Sequence, residues 1–329
     1  MTARIALDAM GGDHAPEQIV LGALDAVADG IDVVLVGDEE SLRGLLAQQS
    51  ADLPVVHAPE VIGMGEDPAA AIRAKKDASV TVCARLVSSG EAAGMVSAGS
   101  TGAALAAAVI VIGRVPGVSR PAIATIFPVG HRSVVLDVGA NLDVRPLHLA
   151  QFGLMGAQLA RVYLDRPDPT VGLLNIGEEA GKGRDLEREA GALLASSPLD
   201  FVGNVEGRDL GRGAADVFVT DGFTGNVLLK TAEGTARAVG RLLMETLAAA
   251  AETDPSVAEG AAGVMPHLAA LRHRIDPETF GGAHLIGTQG TVVIGHGSSS
   301  RLAISNALRL AAEGADRGLV DRIRAAVDA

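Results

Sequence analysis

Residues 215–230 read ADVFVTDGFTGNVLLK, and that stretch limits the fold more than any other in the chain. Residues 216–220 alternate β-branched and aromatic side chains, which suits a buried strand. Asp221 and Gly222 break the strand, and Thr224 is expected to cap a helix opening at Gly225. A strand, a glycine-rich turn and a helix start in such close succession belong to a layered α/β arrangement. The turn also gathers unpaired backbone N–H groups at the positive end of a helix dipole, which favours an anion. Lys230, about one turn into that helix, adds a mobile positive charge. A turn that merely joins two core elements would read the same way. The argument therefore rests on recurrence.

The same device returns at Gly11, Gly99, Gly139, Gly177, Gly203 and Gly295. Strands are expected at 5–9, 33–36, 55–58, 94–97, 123–129, 134–138 and 171–176, from 201, and at 292–294, with helices in most of the intervals. One helix is expected from 67 to 89. Gly130-His131 reads as a hairpin, hence one antiparallel element. Elsewhere the alternation implies a mostly parallel sheet covered on both faces, a three-layer α/β/α fold. Residues 1–329 carry no linker or repeat and are expected to form a single domain, with a mainly helical excursion at about 231–279. Ligands of open α/β sheets bind beyond the carboxyl ends of the strands. All seven turns are therefore expected at one rim, where their N–H groups would line a cleft for a phosphate-bearing ligand.

Composition narrows the partners. A net charge of −13 argues against nucleic acid. Cys83 is the single cysteine, which excludes an internal disulfide and fits a reducing cytoplasm. A strand pattern starts at once, so no signal peptide is expected, and no apolar run suits a spanning helix. The chain has 23 arginines but only Lys75, Lys76, Lys182 and Lys230. Two of these four stand in or beside glycine-rich turns, where Arg would serve a generic ion pair equally well. Four of its five asparagines, Asn141, Asn175, Asn204 and Asn226, do the same, although Asn is also an ordinary turn former.

Several familiar motifs almost fit. Gly177 to Gly183 is too short for a Walker A loop, and Gly183 replaces the hydroxyl that would bind magnesium. No dinucleotide fingerprint follows the first strand. Ser97 is one residue off a nucleophile elbow. Cys83 has no partner cysteine for a zinc site. Asp8, Asp13, Asp137 and Asp221 suit turn hydrogen bonds better than a shared magnesium. No cofactor and no metal are expected.

With these residues laid out, the chain resembles the bacterial acyl carrier protein–phosphate acyltransferases (PlsX type). The resemblance rests on DAMGGDHAP (8–16), SAGSTGA (97–103), LDVGAN (136–141), LLNIGEEAGKG (173–183), FVGNVEGRD (201–209), DVFVTDGFTGNVLLK (216–230) and GGAHLIGTQGTVVIGHG (281–297). Ser100 departs from it, standing where the family usually has Asn. The resemblance implies an isocitrate/isopropylmalate dehydrogenase-like fold, a homodimer, a cytoplasmic location and peripheral contact with the membrane. It implies transfer of a long fatty acyl group from acyl carrier protein to inorganic phosphate. The acyl phosphate then serves phospholipid synthesis, with a membrane-bound glycerol-3-phosphate acyltransferase as a further partner.

That chemistry asks for placement rather than a covalent nucleophile. Phosphate near pH 7 is already about half dianion, and a thiol of pKa ~8.5 leaves as thiolate without an obligatory acid. The site must hold an anion beside a thioester, exclude water and stabilise an oxyanion. Phosphate is expected at Gly222, Thr224 and Gly225 with Lys182 or Lys230, and at Gly99, Ser100 and Thr101. Asn204 or Asn226 is the candidate for the carbonyl oxygen, and His296 and His14 for proton handling. Residues 103–112 form either an acyl-tunnel wall or an ordinary core helix. Arg272 and Arg274 are the candidate patch for the acidic carrier. Two rivals remain open: a phosphotransacetylase-like enzyme acting on short acyl-CoA, and a non-catalytic phosphate or acyl-ligand sensor.

Overall fold

A computed structural model describes residues 2–328, without the side chains of residues 272–275 and 277. Eleven strands form one sheet: β1 (Ile5–Asp8), β2 (Val33–Gly37), β3 (Val55–His57), β4 (Gly94–Ser97), β5 (Ala122–Phe127), β6 (Ser133–Leu136), β7 (Thr170–Leu174), β8 (Asp200–Val205), β9 (Val217–Val219), β10 (Ala283–Ile286) and β11 (Thr291–Ile294). Their spatial order is β3-β2-β1-β4-β11-β10-β5-β6-β9-β7-β8. The helices are α1 (Glu17–Ala28), α2 (Glu39–Gln48), α3 (Pro68–Ala74), α4 (Ser79–Ser88), α5 (Thr101–Ala107), α6 (Pro146–Tyr163), α7 (Asp185–Ala195), α8 (Gly222–Thr253), α9 (Pro255–Ile275), α10 (Pro277–Phe280), α11 (Arg301–Asp316) and α12 (Leu319–Asp328).

Alternation along the strands sorts the core into layers. Ala6, Ile123, Phe127 and Ile294 face one way, among α3, α4 and α5. On the opposite face, Ala122, Leu136 and Val217 pack against α6 and α12, and Ile5, Leu7 and Val293 pack against α1 and α11. The three-layer α/β/α expectation holds. The expected single helix from 67 to 89 is instead α3 and α4, with a break between them, and α5 continues as a π-helix, Ala108–Ile112.

One strand escaped the sequence reading, and it changes the topology. β10 is four residues between glycines and pairs antiparallel with both β11 and β5. β5 also pairs antiparallel with β6, as the Gly130-His131 hairpin requires. Three antiparallel pairings therefore stand in a row, β11–β10, β10–β5 and β5–β6: β1 to β5 and β11 run one way, whereas β10, β6, β7, β8 and β9 run the other. The turns at Gly11, Gly99 and Gly295 therefore lie at one edge of the sheet. Those at Gly139, Gly177 and Gly222 lie at the opposite edge, whereas Gly203 is no turn at all: it sits inside β8, paired with Gly172. The expected single rim is corrected to two.

Candidate active site

Each edge holds a knot of turns built over a carboxylate. At the first edge, buried Asp8 accepts from Ser97 Oγ at 2.6 Å and from Met10 N at 3.3 Å, while Ser97 Oγ accepts from Gly99 N at 3.1 Å. Burial pushes the Asp8 carboxyl up, against hydrogen bonds from Ser79 and Ser97. Gly11 is required here, because a Cβ would come within 2.5 Å of Asp8 Oδ2. Asp13 N donates to Gly297 O at 2.7 Å and joins the last turn to the first.

At the second edge, Asp137 is fully buried. It accepts from Gly139 N (3.1 Å), Ala140 N (2.9 Å), Asn141 N (2.7 Å), Asn141 Nδ2 (2.8 Å) and Ile123 N (3.1 Å). The LDVGAN motif is thus a nest filled by its own anion. Helix α8 opens three residues earlier than expected, and its cap is Asp221 rather than Thr224. The Asp221 carboxylate accepts from Thr224 N and Thr224 Oγ1, both at 2.8 Å. Gly222 N donates to Asn141 O and Gly225 N to Asp221 O. The expected phosphate cradle on the N–H groups of Gly222, Thr224 and Gly225 is therefore already satisfied from within the chain. Among the described residues no cluster of three or more His, Cys, Asp or Glu is placed to hold a metal ion.

Between the two edges, a groove of about 1050 Å³ crosses the sheet over β5, where α3 to α5 stop and α8 begins. Its floor is Ile123, Thr125 and Phe127 of β5, with Ala283 of β10, Ile294 of β11 and Val138 after β6. One wall is α8, which contributes Phe223, Asn226, Lys230, Glu233 and Arg237. That three-four-three-four spacing is one stripe of a helix. Lys230 lies two turns into α8, not one, and its Nζ is 3.0 Å from Glu233 Oε2; Arg237 Nη2 is 3.5 Å from the same oxygen. The far end is lined by Thr101, His296 and Ser298. The His296 Nδ1 lies 2.8 Å from Ser298 Oγ and accepts from Ser298 N at 3.3 Å.

The groove gathers Gly222, Asn226, Lys230, Thr101 and His296 from the expected residues. Others stand off it. Lys182 Nζ is 3.8 Å from Glu179 Oε2 within the Gly177–Gly183 loop, and Asn204, on β8, holds that loop by donating from Nδ2 to Glu179 O at 2.8 Å. Ser100 caps α5, accepting from Ala103 N, and His14 is exposed outside the groove lining. Thr224, Gly225 and Gly99 also lie outside that lining. Arg272 and Arg274 fall on side chains outside those described. Sequence reasoning missed Glu233, Arg237 and the β5 floor. The helical stripe from Phe223 to Arg237 was the signal that could have found the first two.

A family model described as "Fatty acid synthesis protein" matches residues 3–322. A phosphate acyltransferase from Desulforamulus reducens is 46% identical over 329 residues, covering 99% of this chain and 97% of its own. The chain belongs to this family. Another relative, a phosphate acyltransferase from Anaeromyxobacter dehalogenans (strain 2CP-C), is 48% identical over 332 residues, covering 99% of this chain and 90% of its own. The protein is an acyltransferase that uses phosphate as a substrate. Among solved structures, a phosphotransacetylase from Streptococcus pyogenes shares the fold with a TM-score of 0.66 at 20% identity, over 96% of this chain and 94% of that one. A 4-hydroxythreonine-4-phosphate dehydrogenase from Klebsiella pneumoniae does so at 0.56 and 14%, over 96% and 98%. These two bear on the fold alone.

Proposed function

We propose that the chain transfers a long fatty acyl group from acyl carrier protein to inorganic phosphate, giving acyl phosphate for phospholipid synthesis. The observation that carries this reading is the groove, whose apolar floor is flanked by polar residues from α8 and from the first edge. An acyl chain lies along Ile123, Phe127 and Ile294, and the thioester meets phosphate beside Lys230, Asn226 and His296. Lys230 and Arg237 supply positive charge, Asn226 is the donor for the carbonyl oxygen, and no covalent intermediate is required. Lys182, on the adjoining loop, and Asn204, on β8 beneath it, support the site from outside the groove. Each methylene buried in the groove contributes about 0.8 kcal/mol, roughly a fourfold gain in kcat/KM per carbon until the floor is filled. Phosphate-dependent release of free thiol from acyl carrier proteins of increasing chain length tests this. Preference for acetyl-CoA would instead favour the phosphotransacetylase-like reading, and binding without thiol release the sensor.

The contact surface proposed for a second copy of the chain and for lipid is the α8–α9 hairpin. In α8, 32 residues and so about 48 Å long, only Gly222 and Gly225 at the base are fully buried. Leu242 and Val239 on α8 and Leu271 on α9 are 63%, 60% and 50% exposed. No helix among the described residues is long and apolar enough to cross a membrane. Sedimentation of the chain and flotation with anionic vesicles, each repeated with Leu242→Glu, test the two contacts.

A further inference from the structure

We propose that an acidic protein, the acyl-bearing carrier itself, docks on a basic and apolar patch at the second-edge mouth of the groove, formed by Arg120, Arg145, Leu142 and Leu147. The inference rests on the reading of the groove as an acyl-carrier-dependent site. Most arginines of this chain are paired with a carboxylate. Arg120 and Arg145 are exposed, and among the described residues neither has a carboxylate within ion-pair distance. Asp143 is the only acidic residue between Gly139 and His148, and the first turn of α6 has none. Both arginines are felt by one neighbour: burial first, then the charges of Arg120 and Arg145, hold His148 below the usual histidine range. In a molecule of net charge −13, an uncompensated positive patch stands out as a steering surface.

Position ties the patch to the chemistry. Asn141 Nδ2 donates to Pro121 O at 2.8 Å, which fastens the Arg120 segment to the Gly139 turn. Leu142 lines the groove and is also 68% exposed, so it belongs to both surfaces; Leu147 is 52% exposed. A carrier seated on the two arginines would have its thioester arm enter over Leu142. The test compares wild type with Arg120→Glu/Arg145→Glu and with the milder Arg120→Gln/Arg145→Gln, using long-chain acyl carrier protein and, separately, acyl-pantetheine, which has the thioester without the protein. Charge reversal should raise KM for acyl carrier protein at least tenfold, with kcat, the phosphate KM and acyl-pantetheine turnover unchanged. It should also flatten the fall of kcat/KM with added salt. An unchanged KM in both variants overturns the docking surface, as does an equal loss with acyl-pantetheine. Reversal at Arg272 and Arg274 having the larger effect on carrier KM would move the surface to α9 and overturn it too. If wild type releases no thiol from acyl carrier protein, the reading of the groove fails instead.

Discussion

At the scale of single residues, the chain answers its own anion sites before any ligand arrives. Asp8, Asp137 and Asp221 each take up N–H or hydroxyl donors of a turn that looked ready for phosphate. What remains for a substrate is side-chain charge, and Lys230 is the lysine that lines the groove. Lys230→Met is expected to raise the phosphate KM tenfold or more, whereas Lys182→Met should shift it less than threefold; initial rates at varied phosphate check both. The scarcity of lysine made both positions legible in the sequence. Choosing between them was not, because each has a glutamate three residues away and only the fold shows that Lys230 and its Glu233 line the groove while Lys182 and Glu179 do not. Asn204 and Asn226 present the same difficulty: one binds Glu179 O, the other lines the groove.

At the scale of elements, α8 is seated by glycines as much as by its cap. A Cβ on Gly225 would stand 1.9 Å from Asp137 O, a backbone atom that cannot yield easily. Gly225→Ala should cost about 3 kcal/mol by overpacking, while Asp221→Ala should cost about 1 kcal/mol as a lost cap. Urea unfolding of the two variants measures both, and a neutral Gly225→Ala would mean that α8 can slide on its seat. Strand and helix periods revealed most elements, since 3.6- and 2-residue repeats are local. β10 stayed hidden because Ala283–Ile286 is four residues long with a histidine in the middle, too short for alternation to register. Missing it cost the link between the two halves of the sheet, although its two antiparallel pairings cancel and it is the β5–β6 hairpin that turns β6 to β9 around. Which edge a turn reaches depends on pairing between residues far apart in sequence, and no local pattern encodes that.

At the scale of the whole molecule, the same strand brings a pH dependence. His284 is 2% exposed, finds no hydrogen-bond partner for Nε2 among the described residues, lies 4.6 Å from the Tyr163 ring, and burial pulls its pKa down to about 3. The unfolded chain takes up this proton near pH 6.5. Between those values the unfolded state binds more protons, so stability is full above pH 6.5 and declines as pH falls toward 3, by up to about 1.4 kcal/mol per unit. Urea midpoints from pH 7 to 4 should fall with acidification in wild type and fall less in His284→Phe; parallel slopes would remove His284 as the cause. The pairing of β10 has a further consequence. His284 opposite Ala124 and Ala283 opposite Ile294 join the half of the sheet bearing one turn knot to the half bearing the other. Strand pairing moves only in whole residues of about 3.4 Å, and a one-residue slip turns every side chain over. The length of the cleft is therefore a ruler with coarse divisions, which side-chain substitutions cannot stretch by degrees. Relatives that accept different acyl chains would have to raise or lower the floor, at Ile123, Thr125 and Phe127, and leave the frame alone.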